Sequence, residues 1–271
     1  NLCVANGGSF EVNGLAINGS FSKAIYNNSD GDLKATNVTI DGTSGTHDYL
    51  VDNHGGKMEI SNATIKNAKT VGVMSRTKAN TVLNGVSMDN IGSNGVFVES
   101  ECTATVTDLE VKNVNGNAIY NKGTVEVRGL TADNVKSGIS CRVKGWATVS
   151  GTNTFTNIKG IGIRIYGKES LADDNGVILA ENAVLNMENV KTAGIFCGGT
   201  FFADAGSTVS IQKVTATSET DTTVGCGIAV LGGGKVDGDG TITVTDVAFN
   251  GISILDAKSS MKAKSITVEK A

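Results

Sequence analysis

The chain of 271 residues contains no proline, which narrows its class at once. Its 35 glycines cannot belong to a collagen-like helix, which needs abundant proline and glycine at every third position. Apolar runs stay short of 18 residues, so the sequence offers no transmembrane helix. A net charge of −4 leaves no overall basic footprint for nucleic acid or for an anionic membrane surface. The five cysteines fall at scattered spacings, without a CxxC or Cys/His pattern, so the sequence offers no recognisable zinc site. An apolar content of 39%, rich in Val and Ile, suffices for a core and argues against disorder.

What the sequence does contain is a repeat. A small residue followed by Ile or Val recurs about every 23 residues, as in Ala24-Ile25, Gly72-Val73, Gly95-Val96, Ala118-Ile119, Gly162-Ile163 and Gly227-Ile228. Tyr49-Leu50 fills the one vacant slot. Within a turn, three short alternating segments follow one another, for example Ile119-Tyr120, Val125-Glu126-Val127 and Leu130-Thr131-Ala132. Strands this short, separated by turn residues, fit one coil of a parallel β-helix with three sheets stacked turn upon turn. No stretch holds a 3.6-residue period, which excludes helical repeats. The expectation is an all-β, three-sheet solenoid of about eleven coils and one domain over residues 1–271. Neither end carries an obvious cap, so the chain reads as a fragment of a longer protein.

Two rows carry register information. Asparagine recurs after the third segment at Asn67, Asn90, Asn113, Asn134, Asn157 and Asn189, where left-handed backbone and amide stacking suit a tight corner. The residue before it alternates in sign through Asp41, Lys66, Asp89, Lys112 and Asp133, so stacked neighbours attract. Cys141 and Cys197 share a repeat position two turns apart, roughly 10 Å, too far for a disulfide. Most of the cysteines read as small buried hydrophobes.

The coil pattern G-I-x-V, V-x-V, L-T-x-D-N-V resembles the right-handed, single-stranded parallel β-helix repeat of pectin-lyase-like enzymes and of bacterial surface proteins, including adhesins and autotransporter passengers. For the enzyme branch, that resemblance implies the polygalacturonase motifs N-T-D, D-D, G-H-G and R-I-K. Here His47 and His54 lack the G-H-G setting, Arg164-Ile165-Tyr166 lacks the lysine, and Asp173-Asp174 follows it in reversed order. The other branch implies a bacterial, extracellular or cell-surface adhesin or stalk, with a host or neighbouring-cell protein or glycan as partner and self-association as a further option. No cofactor is expected.

Two candidate surfaces follow. The residue after each anchor points outward, which predicts an apolar ribbon of Tyr26, Val51, Met74, Phe97 and Tyr120. Asn27, Asp52 and Ser75 then fall on supposed core positions, so a swap of faces in the early turns is the competing register. Insertions around 168–175 and 217–223 flank a second candidate, a cleft over Arg164 and Phe196 with Asp173 and Asp174 nearby. Two Asp-Gly-Asp strings, at Asp30 and Asp237, read as turns more readily than as calcium loops.

Overall fold

The computed structural model describes residues 2–43, 49–167, 174–218 and 220–271. It is a parallel β-solenoid of about 11 turns, 68% strand and without helix among the described residues. Every strand pairs in parallel with its equivalent one turn away, and three ladders run the length of the molecule. The first runs through Leu2–Asn6, Lys23–Asn27, Tyr49–His54 and Val71–Arg76 and on to Ile252–Ile254. The second and third begin as the two halves of Ser9–Asn18 and end at Ser260–Met261 and Ser265–Glu269. In the middle coils, Thr103–Asn121 and Thr124–Cys141 bend through the corner between third and first sheets without a break.

The small residue of the repeat has a steric cause. It enters the first sheet from a corner, packed between the coil above and the core. A Cβ on Gly72 would lie 2.7 Å from the Gly95 carbonyl oxygen and 3.1 Å from Met88 Sδ. Farther along, a Cβ on Gly138 would meet the Phe155 ring at 2.5 Å, one on Gly194 would meet Ile211 at 2.6 Å, and one on Gly227 would meet Val244 at 2.2 Å. The large inward side chains of the third sheet occupy the space that a side chain here would need. Those side chains, with Ile25, Ile60, Leu83, Ile119, Phe201 and others, form one continuous hydrophobic core.

The asparagine corner adopts the left-handed backbone expected of it, with φ between 53° and 58° at Asn67, Asn90, Asn113, Asn134, Asn157 and Asn189. Asparagine tolerates this region better than other residues with a Cβ. The amides stack in two ways. Asn90, Asn134 and Asn189 each donate to the preceding asparagine at 2.7 Å. Asn67, Asn113 and Asn157 donate instead to Asp41, Asp89 and Asp133, also at 2.7 Å. The alternating charges do pair in register, Asp41 with Lys66 and Lys112 with Asp89 and Asp133. The aspartates nevertheless spend oxygens on corner amides, and Lys112 pairs with Glu110 on its own strand at 2.5 Å.

The ribbon register needs one correction. The anchor of the third coil is Val51, not Leu50: Ile25 pairs with Val51, and Val51 with Val73. Val51 therefore points into the core and is fully buried. Asp52 takes its place on the outward row, between Tyr26 and Met74. Both Leu50 and Val51 are apolar, so periodicity alone admitted two registers, and a slip of one residue reverses every side chain. The faces are not swapped elsewhere. Asn27, Asn53 and Ser75 line the interior and are fully buried. They form a buried chain in which Asn6 donates to Asn27 at 2.8 Å, Asn27 to Asn53 at 3.0 Å, and Asn53 to Thr81 at 2.9 Å.

All five cysteines are free thiols, four of them buried. Cys141 and Cys197 occupy one interior row with Ile165 between them. Burial pushes both thiols up to about 12.

Candidate functional site

The outward face of the first sheet carries three parallel rows. The central row reads Tyr26, Asp52, Met74, Phe97, Tyr120, Ser140, Arg164, Phe196 and Ala229. Beside it runs a charged row of His54, Arg76, Glu99, Lys122, Arg142 and Tyr166 on successive coils. On the other side, Lys23, Tyr49, Asn94, Asn117 and Ser137 precede the anchors. Stacking at about 4.8 Å per coil brings together cations and rings that lie far apart in sequence.

These side chains interleave. The Phe97 and Tyr120 rings meet edge to face at 4.9 Å, and the Lys122 ammonium lies over both at 5.6 and 5.8 Å. Arg164 lies over Tyr166 at 4.4 Å and over Phe196 at 5.6 Å, while Arg142 approaches the Tyr166 ring at 5.2 Å. Each cation–ring contact holds a flexible basic side chain against a rigid surface and preserves its charge. Met74, although on the outward row, is covered by its neighbours and buried.

At the N-terminal end of the row sits an ion triad. Asp52 has a side chain with no exposure, and it receives Arg76 Nε at 2.9 Å, Arg76 Nη2 at 2.8 Å, and the Lys23 ammonium. The hydrogen bond to Asp52 raises the Arg76 pKa above its ordinary value. Tyr49 lies between the two cations, 5.5 Å from Lys23 and 5.6 Å from Arg76. Tyr26 shares a hydrogen bond with His54 Nδ1 at 2.8 Å and closes the cluster. The triad ties three successive coils together, so Tyr26 belongs to a structural lock as well as to the outward row.

Farther along, two adjoining hollows open around Arg164. The larger, about 540 Å³, is floored by Arg164 and Phe196 and walled by Lys136, Lys159, Asp221 and Thr223. The smaller, about 290 Å³, runs toward the N-terminal coils past Tyr166, Tyr120, Asn117 and Asn94. They share Lys136, Ser137 and Arg164. Arg164 Nε is buried and finds no hydrogen-bond partner among the described residues. Asp221 is held within its own loop, accepting from the Thr223 amide at 2.9 Å and hydroxyl at 2.6 Å, and these bonds lower its pKa.

The two sequence-derived surfaces thus lie on one sheet. Tyr26, Met74, Phe97 and Tyr120 share its outward row with Arg164 and Phe196, and Val51 leaves it. The second insertion walls the cleft through Asp221 and Thr223. Asp173 and His47 lie outside the described residues, as does most of the first insertion; Asp174, which is described, is absent from the lining of both hollows. Among the described residues, no three His, Cys, Asp or Glu side chains gather as metal ligands. The concentration of cations escaped sequence reasoning because Lys122, Lys136, Arg142, Lys159 and Arg164 are scattered over three coils of an acidic chain.

Comparison of the chain with protein-family models, with curated proteins and with solved structures finds no match.

Proposed function

We propose that this chain is the non-catalytic solenoid of a bacterial cell-surface or secreted protein, an adhesin or stalk that presents a lateral binding face along its first sheet. One observation carries the reading: on a molecule of net charge −4, cations and aromatic rings interleave along a single face and surround a recessed arginine. Rings and guanidinium groups supply large contact area with little loss of side-chain freedom, which is why they dominate recognition surfaces. A long rigid scaffold holds them in line. The partner is a surface protein or glycan of a host or a neighbouring cell.

The second reading is a glycan-binding or carbohydrate-active module similar to the pectin-lyase-like superfamily. The open cleft over Arg164, Tyr166 and Phe196 favours it, since rings beside polar groups suit a sugar face and its hydroxyls.

The test is an array of glycans and immobilised surface proteins, probed with labelled protein. Binding is expected to vanish in a Phe97→Ser, Tyr120→Ser, Tyr166→Ser variant. It is expected to persist in a Thr131→Glu, Thr154→Glu, Thr243→Glu variant of the third sheet. The opposite pattern, or signal no higher than background, would contradict the first reading. New chain ends released from an arrayed polysaccharide would replace it with the second.

A further inference from the structure

We infer that the double hollow around Arg164 is a site for a sulfated glycan, with a sulfate ester seated against Arg164, Lys136 and Lys159. The inference rests on the lateral-binding reading and names the ligand chemistry of that same face.

The argument begins with charge. Three cations and one carboxylate line the larger hollow among the described residues, and that carboxylate, Asp221, is engaged by Thr223. Lys136, Lys159 and Arg164 form no ion pair among the described residues. Three unpaired cations around one recess repel each other, and an anion in that recess relieves the repulsion. Arg164 is fixed by its contacts with Tyr166 and Phe196, and its buried Nε is a donor left without an acceptor among the described residues. A donor in that condition costs free energy until an acceptor reaches it.

The number of donors favours a three-oxygen ester over a carboxylate. A carboxylate offers two oxygens in one plane, which a single guanidinium satisfies. A sulfate ester offers three terminal oxygens in a tripod, so it can engage the arginine fork and two ammonium groups at once. Thr192 also lines this wall. The neighbouring surfaces fit the rest of a glycan. The Tyr166 and Tyr120 rings, with the Asn117 and Asn94 amides, line the continuation of the groove along the solenoid axis, where apolar sugar faces and hydroxyls would lie. Lys122, held over the Phe97 and Tyr120 rings beside that continuation, offers charge to a further sulfate on the same chain.

The experiment is isothermal titration of the whole chain with dextran sulfate. Unsulfated dextran, polygalacturonate and a single-stranded oligonucleotide serve as comparison ligands. Dextran sulfate is expected to bind and to weaken as salt rises, because screening shortens the reach of exposed charges. Arg164→Gln should weaken it about 10-fold or more, the effect of losing one charge-assisted hydrogen bond. Lys136→Gln and Lys159→Gln should each weaken it several-fold, while wild-type melting temperatures show that the variants fold.

Equal binding of polygalacturonate would overturn the tripod argument, and equal binding of the oligonucleotide would overturn the glycan assignment. Unchanged affinity in the Arg164→Gln, Lys136→Gln, Lys159→Gln variant would overturn the site. If dextran sulfate fails to bind while the array shows another ligand on the first sheet, this inference falls and the lateral-binding reading stands. If the array also shows no first-sheet ligand, both fall.

Discussion

Replacing Asp52 by alanine removes a carboxylate that holds three coils together on the first sheet. Its side chain is 0% exposed, while those of Lys23 and Arg76 are 20% and 27% exposed. Truncating one partner of a buried ion pair costs about 3–5 kcal/mol, chiefly because the remaining charge is left unmatched. Here two cations are left close together, but both reach water with part of their length, so the cost falls near the lower end, about 3 kcal/mol. For a chain of this size, that corresponds to a fall of about 6–12 °C in melting temperature, read by differential scanning calorimetry. The loss should be local, since each coil of a solenoid contacts only its neighbours. Amide exchange should accelerate around Ile25, Val51 and Val73 and stay unchanged around Ile195 and Ile228. The triple variant Lys23→Met, Asp52→Leu, Arg76→Met should recover most of the loss, because apolar residues of similar volume replace a buried ion cluster at little cost. A melting temperature within about 1 °C of wild type for Asp52→Ala, with unaltered exchange, would refute the lock.

Three further outcomes follow from the packing and burial. Gly227→Ala should destabilise by about 1–3 kcal/mol, because its Cβ would meet Val244 at 2.2 Å and the Gly251 carbonyl at 2.6 Å; Ala118→Gly, at the same repeat position, should also destabilise, by about 1 kcal/mol through lost burial and added chain freedom, and thermal denaturation of both checks this. Asn113→Ala should cost about 1–2 kcal/mol, losing the amide bond to Asp89 and placing alanine at φ 53°, with Asn113→Gly recovering the backbone part; denaturant titration separates the two. Burial raises the Cys141 and Cys197 thiols to about 12, so below that pH they stay protonated and unreactive. Because Cys102 and Cys226 are buried as well, iodoacetamide at pH 8 should label the exposed Cys3 alone in the native chain and all five cysteines in denaturant.

Much of the fold was legible in the sequence because a solenoid repeats one steric problem. Glycine or alanine before most anchors reflects the space taken by Met88, Phe155, Ile211 and Val244, and asparagine at the corner reflects a left-handed backbone. The register of the third coil was not legible, because Leu50 and Val51 are both apolar. What selects between them is polar: Asp52 must face Lys23 and Arg76, and Asn53 must join Asn27 and Thr81. The ribbon seemed apolar only because its Lys and Arg neighbours sit on adjacent rows. Stacking makes Lys122, Arg142 and Tyr166 neighbours of Phe97, Tyr120 and Arg164, although they span 70 residues. Net charge averages over faces, and so the basic stripe vanished in a total of −4.

Oxidative footprinting of the chain bound to its strongest array ligand tests the central claim most directly. Protection is expected at Phe97, Tyr120, Tyr166 and Phe196 on the first sheet, with Trp146 and Phe202 on the second sheet labelled as in the free chain. Protection of Trp146 and Phe202, with the first-sheet rings unaffected, would place binding on another face and contradict the account.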